Sequence, residues 1–143
     1  MQDATWQPPD NDGIRDRTRD KTNLRIDRET RGAIDEAQSS PEAIRARIAE
    51  IDAEWNVDRA LMMNFAIAAT ITSSLAMRNL VKHGRLGGWG KLFFTQLGFL
   101  AYHSAKRWCP PLPVLRLLGF RSDREIAAER CALQAKLDAK PRH

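Results

Sequence analysis

The chain has 143 residues, 29% of them charged and 43% hydrophobic, with a formal net charge of +5. That is enough for one modest domain, and the balance excludes collagen-like, disulfide-stapled and wholly disordered chains. The mean hydropathy of −0.49 suits a water-soluble protein on average, but the polarity is unevenly spread. Residues 1–40 hold seven Lys/Arg against nine Asp/Glu, whereas residues 41–143 hold sixteen against nine.

In chain order, residues 1–22 combine Pro8-Pro9, Gly13 and alternating acidic and basic residues, with little to bury, and predict a disordered tail. A polar and amphipathic helical lead is expected over 23–54. Its first part offers only Leu24, Ile26, Ala33, Ile34 and Ala37, which form no continuous stripe. The second part starts sharply: Ser40 is an N-cap, Pro41 opens the first turn, and Glu42 complements the helix dipole. Ile44, Ile48, Ile51 and Trp55 then recur at helical spacing, predicting an amphipathic helix over 41–54.

After Trp55 the chemistry changes. Between Arg59 and Arg78 lie eighteen consecutive uncharged residues. As a helix they extend roughly 27 Å, close to the ~30 Å hydrocarbon thickness of a bilayer. A connector with Arg78, Lys82, His83, Gly84, Arg85, Gly87 and Gly88 lets the chain reverse. A second apolar segment runs from Trp89 to Trp108, with fourteen strictly uncharged residues from Leu92 to Ala105. Indoles favour the headgroup level and long cationic side chains reach outward from a helix end. Trp55, Arg59, Arg78, Trp89, Lys91, Lys106, Arg107 and Trp108 are therefore the candidate membrane-interface residues. Thr70, Ser73, Ser74 and Gly98 are candidates for close helix–helix approach.

Cys109-Pro110-Pro111 is expected to end the second helix. The apolar cluster Val114–Phe120 suits a turn or short helix at the membrane edge. Ser122 and Glu125 have the capping-box spacing and open a mostly polar helix over about 123–139.

The order Glu54-Trp55-Asn56-Val57-Asp58-Arg59, apolar hairpin, Trp108-Cys109-Pro110-Pro111-Leu112-Pro113, Leu118-Gly119-Phe120-Arg121 and Arg124-Glu125-Ile126 resembles the YgaP-like transmembrane domain. That small two-helix domain of unknown function occurs alone or attached to a bacterial inner-membrane rhodanese. The resemblance covers roughly residues 54–131 and implies an inner-membrane hairpin. No rhodanese domain precedes the hairpin, so it implies no sulfur transfer.

The chemistry-bearing residues are few. Cys109 lies in sequence near Lys106, Arg107 and Arg116, whose charges would lower a thiol pKa, and is the candidate reactive thiol. The competing reading is a small apolar residue packed in a proline turn. The three histidines assemble no metal set, no acid–base–nucleophile trio can be placed, and no cofactor fingerprint is present, so no enzyme is expected. The cations cluster at the two ends of the apolar segments instead of interleaving with aromatics. This favours anionic lipid headgroups over nucleic acid. Seven Lys/Arg lie near the open end of the hairpin (Arg45, Arg47, Arg59, Lys106, Arg107, Arg116, Arg121) and four in the connector, placing both termini in the cytoplasm.

The expectation is thus an all-α chain: a disordered tail over 1–22, a helical lead over 23–54, a two-helix membrane domain over 55–121 and a polar helix over 122–143. Its expected role is a bacterial inner-membrane anchor or scaffold. The expected partners are lipid and either a second copy or another membrane protein. A soluble or peripheral helical interaction module and a thiol-dependent redox or sulfur-handling accessory remain the alternatives.

Overall fold

The computed structural model describes residues 6–139, and all regular structure among them is helical. A 3-10 turn at Arg15–Arg17 leads to α1 (Asp20–Ala37) and α2 (Pro41–Ala53). Then come α3 (Val57–His83), α4 (Gly87–Lys106), the short α5 (Leu112–Leu117) and α6 (Asp123–Asp138).

Local chemistry sets most boundaries. The Ser40 hydroxyl accepts from the Ala43 N–H at 3.0 Å, with proline in the first turn of α2. At α6 the capping box closes in both directions: Glu125 N–H donates to Ser122 Oγ at 3.1 Å, and Ser122 N–H donates to Glu125 Oε2 at 2.8 Å. Asn56 caps α3 by accepting from the Arg59 N–H. The helix ends at Gly84, whose φ of 66° is left-handed and whose N–H donates to the Leu80 carbonyl at 2.8 Å. Only glycine adopts that conformation without a steric cost.

α4 departs from expectation at both ends. α4 stops at Lys106, before the Cys109-Pro110-Pro111 turn, because Arg107 takes a left-handed conformation (φ 51°) and donates its N–H to the His103 carbonyl. Gly87 and Gly88, expected in the connector, form the first turn of α4, so only Gly84–Leu86 link the two long helices.

The predicted disorder over 1–22 does not hold for residues 6–22; residues 1–5 lie outside the described part. Trp6 and Ile14 are buried, and Asp12 caps the turn by accepting from the Ile14 N–H at 2.9 Å. Few apolar groups sufficed, because each enters a core supplied by distant helices. Trp6 joins Ile34, Ala37, Ile44, Ile51 and Leu133, a cluster that packs α1, α2 and α6 together. Ile14 joins Val57, Leu61, Cys109 and Leu112 at the foot of α3, beside α5.

α1 does carry a buried stripe. Thr22, Ile26, Thr30, Ile34 and Ala37 face inward at near-helical spacing, the two threonines filling the gaps an apolar-only reading leaves. α3 and α4 pack side by side. Asp58 near the start of α3 meets His103 near the end of α4, and Thr72 meets Gln96 midway, so the two run antiparallel.

Candidate membrane-facing surface

The 27 residues of α3 give a rod of about 40 Å. One helical stretch, within Pro41–His83, is long and apolar enough to cross a membrane, and only 22% of its most apolar window is buried. A soluble core helix of that composition would be mostly covered. On α3, Met62, Met63, Ile67, Ile71, Met77 and Val81 are exposed; on α4, Leu92, Phe94, Leu97, Phe99 and Tyr102 are exposed. These exposed apolar side chains recur along both rods, more than scattered surface leucines would give.

The residues expected to mark the ends fall into two groups. At one end, the Arg59 guanidinium lies 4.6 Å from the Trp55 ring centroid. Tyr102 and Trp108 meet edge to face at 6.2 Å there, close to Lys106 and Arg107. At the other end stand Arg78, Trp89 and Lys91. That end also holds a broad cleft of about 1040 Å³ lined by Asn79, His83, Arg85, Gly88 and Lys91. No side chain caps the N-terminus of α4 beside it, so the free N–H groups add to the positive potential. From Arg59 to Arg121 the chain carries Lys or Arg at nine positions and no Asp or Glu at all.

Several polar groups of the two rods turn toward each other or back on their own backbone. The Thr72 hydroxyl lies 2.9 Å from both the Ala68 carbonyl and Gln96 Oε1. His103 is 5% exposed and its Nε2 sits 3.1 Å from the Asp58 carboxylate, while its Nδ1 is buried without a partner. An unsatisfied buried polar atom costs about 1–3 kcal/mol. Thr70 and Ser74 return hydrogen bonds to the carbonyls of Ala66 and Thr70.

The helix-approach candidates need correction. Thr70, Ser74 and Gly98 are exposed and Ser73 is only half-buried, so none of them forms the α3–α4 seam. The buried residues of α3 are instead Val57, Ala60, Leu61, Thr72 and Ala76, of which Thr72 meets Gln96 of α4. Composition singles out small residues but not their face. Thr72 lies about three helical turns from Leu61 and Ala76 four residues further on, whereas Thr70 falls off that face.

Cys109 also departs from its reactive reading. It is 3% exposed within the Ile14–Val57–Leu61–Leu112 cluster. Burial pushes its thiol above the ordinary value, outweighing the hydrogen bond from the Leu112 backbone that favours the thiolate. The nearby cations in sequence do not reverse this. Cys131 is the exposed thiol, on α6. Among the described residues no group of His, Cys, Asp and Glu could hold a metal ion.

Sequence reasoning missed a buried ionic seam beneath the rods. Glu125 and Glu129 are 0% exposed and share one face of α6 with Leu133. Glu125 receives both nitrogens of Arg116, at 2.6 and 2.9 Å, and Arg15 at 2.5 Å; Arg15 in turn pairs with Asp27 at 2.7 Å. Glu129 pairs with Arg121 and with Arg47 at 2.9 Å, and Arg121 also holds Glu54. Burial alone would raise the Glu125 pKa, but the Arg116 hydrogen bonds and charge, the Ser122 backbone and Arg15 together hold it below the ordinary value. Burial would lower the pKa of Arg121, yet Glu54 and Glu129 raise it, and Arg15 and Arg47 are raised likewise by their own carboxylates. Three of the seven cations counted at the open end (Arg47, Arg116 and Arg121) are therefore neutralised inside the fold. The only sequence signal was the four-residue spacing of Glu125, Glu129 and Leu133.

No family model, no curated protein and no solved structure matches this chain.

Proposed function

We propose that this is a small integral protein of the bacterial inner membrane, with no catalytic role, that anchors or scaffolds through its lipid and protein contacts. In this reading α3 and α4 cross the bilayer as a hairpin of the YgaP-like kind. The helical body of α1, α2, α5 and α6 lies in the cytoplasm with both termini. The carrying observation is the belt of uncovered apolar side chains along both rods, 22% buried over the most apolar stretch of α3. Every unmatched cation near it lies at one end or the other, where anionic headgroups provide counter-charge. The backbone polarity of both rods is satisfied by helix, and their hydroxyls bond back to carbonyls, as a hydrocarbon solvent demands.

The exposed thiol of Cys131 makes orientation measurable. In the membrane fraction the protein should resist alkaline carbonate extraction. A membrane-impermeant maleimide should label Cys131 in inverted vesicles and not in intact spheroplasts, while a cysteine at Arg85 should show the reverse. Release by carbonate would favour the soluble or peripheral interaction module. Labelling of both sites from one face would leave the pair lying on the surface.

A further inference from the structure

Between α3 and α4, beside the Pro110-Pro111 turn, opens a cavity of about 210 Å³. It is smaller than the roughly 300–1,000 Å³ of pockets that enclose a whole drug-sized ligand, so it suits a headgroup whose tail continues along the rods. Phe65 from one helix and Phe99 from the other line it, and no free charge does. Three polar groups stand among these apolar walls: Asn64, Gln96 and His103.

Each of these groups has bonding capacity to spare. The Asp58 carboxylate faces Nε2 of His103, so the neutral imidazole keeps its proton there and leaves Nδ1 as an acceptor without a partner. Gln96 Oε1 is engaged by Thr72, which leaves the amide NH₂ to donate. An oxygen that both donates and accepts completes this set, and a hydroxyl is such a group. Two phenyl walls favour a flat ring stacked or set edge-on between them. Charged headgroups are disfavoured, since no Lys, Arg, Asp or Glu lines the cavity to meet them.

We propose that the α3–α4 cavity binds the aromatic hydroxyl headgroup of a lipid-soluble molecule, of the phenol or quinol class. His103 Nδ1 accepts from the hydroxyl and Gln96 donates to its oxygen. The lipid solubility of the ligand rests on the membrane reading above.

The full chain in detergent micelles, labelled with ¹⁵N-histidine, tests this whether or not the rods cross a bilayer, so its failure is distinct from failure in the extraction experiment. Titration with 4-nonylphenol should move the His103 Nδ1 resonance saturably, with Nε2 and the other histidines unchanged. Gln96→Leu should weaken the apparent affinity about tenfold, the value of one hydrogen bond of about 1.4 kcal/mol. Ala68→Phe, which fills the cavity, should abolish the response. The proposal is overturned if nonylphenol leaves Nδ1 unmoved or nonylbenzene moves it equally. It is also overturned if only the glycerol hydroxyls of monononanoin move it, or if Gln96→Leu binds like the native chain.

Discussion

The two halves of this molecule sort their apolar side chains in opposite ways. In the body of α1, α2, α5 and α6, Ile44, Ile51, Leu112 and Leu133 are buried and the charges that enter the interior are paired, as Arg116 with Glu125. In the α3–α4 pair the polarity is inverted: Met63, Ile67, Ile71 and Phe94 face outward while Thr72 and His103 are enclosed. The first arrangement is that of a water-soluble core, whereas the second leaves apolar surface uncovered within this chain. The difference shows that an unremarkable average hydropathy can hide two regions of opposite exposure.

The sharpest way to break the contrast is to remove one carboxylate from the seam. Glu125→Ala leaves Arg15 and Arg116 without their shared partner in the interior, a loss of about 3–5 kcal/mol. Limited proteolysis in proteoliposomes should then clip the body while the α3–α4 fragment survives intact. Acid should act in the same direction. The Glu125 pKa is depressed on folding, so its stabilisation is complete above the ordinary carboxylate value of about 4.3 and is lost as pH falls through the lower folded one. Circular dichroism should show the body melting below about pH 4 with the helicity of the rods retained.

A charge on the belt probes the other half. Ile71 is 53% exposed, and in water Ile71→Lys would change stability by no more than about 0.5 kcal/mol. In a bilayer centre the lysine costs about 3 kcal/mol. Translocon-mediated insertion should therefore fall several-fold for Ile71→Lys, with Ile71→Val indistinguishable from the native chain.

The smallest effect lies in the seam between the rods. Thr72→Val keeps the shape and removes the hydroxyl beside Gln96. Interhelical hydrogen bonds of this kind average about 0.6 kcal/mol in membranes. The midpoint of SDS-driven unfolding should shift slightly, with insertion unaffected.

What could be read from the sequence was what depends on near neighbours. Ser40-Pro41 and Ser122 with Glu125 act within one helical turn, so the starts of α2 and α6 were visible, as were the all-helical class and the long apolar run of α3. The rest depends on distance in the chain. Arg15 reaches Glu125 across 110 residues, and Trp6 packs in a core that includes Leu133 of α6, so residues 6–22 looked unstructured. Charge count alone could not separate Arg116 and Arg121, which are sealed inside, from Arg59 and Lys106, which are exposed. Cys109 shows the same division: its neighbours along the chain are cations, which suggested a reactive thiol, but its neighbours in space are Ile14, Val57 and Leu112, as the packed proline-turn reading has it.

The most direct measurement is the depth of a nitroxide at Ile71→Cys in the full chain in proteoliposomes, with Cys131 replaced by serine. Collision rates in electron paramagnetic resonance should be high with oxygen and low with a water-soluble nickel chelate. A label at Arg85→Cys should show the converse. Equal, high access of the nickel chelate to both labels would mean that the apolar belt faces water, and the two-solvent reading of the fold would be contradicted.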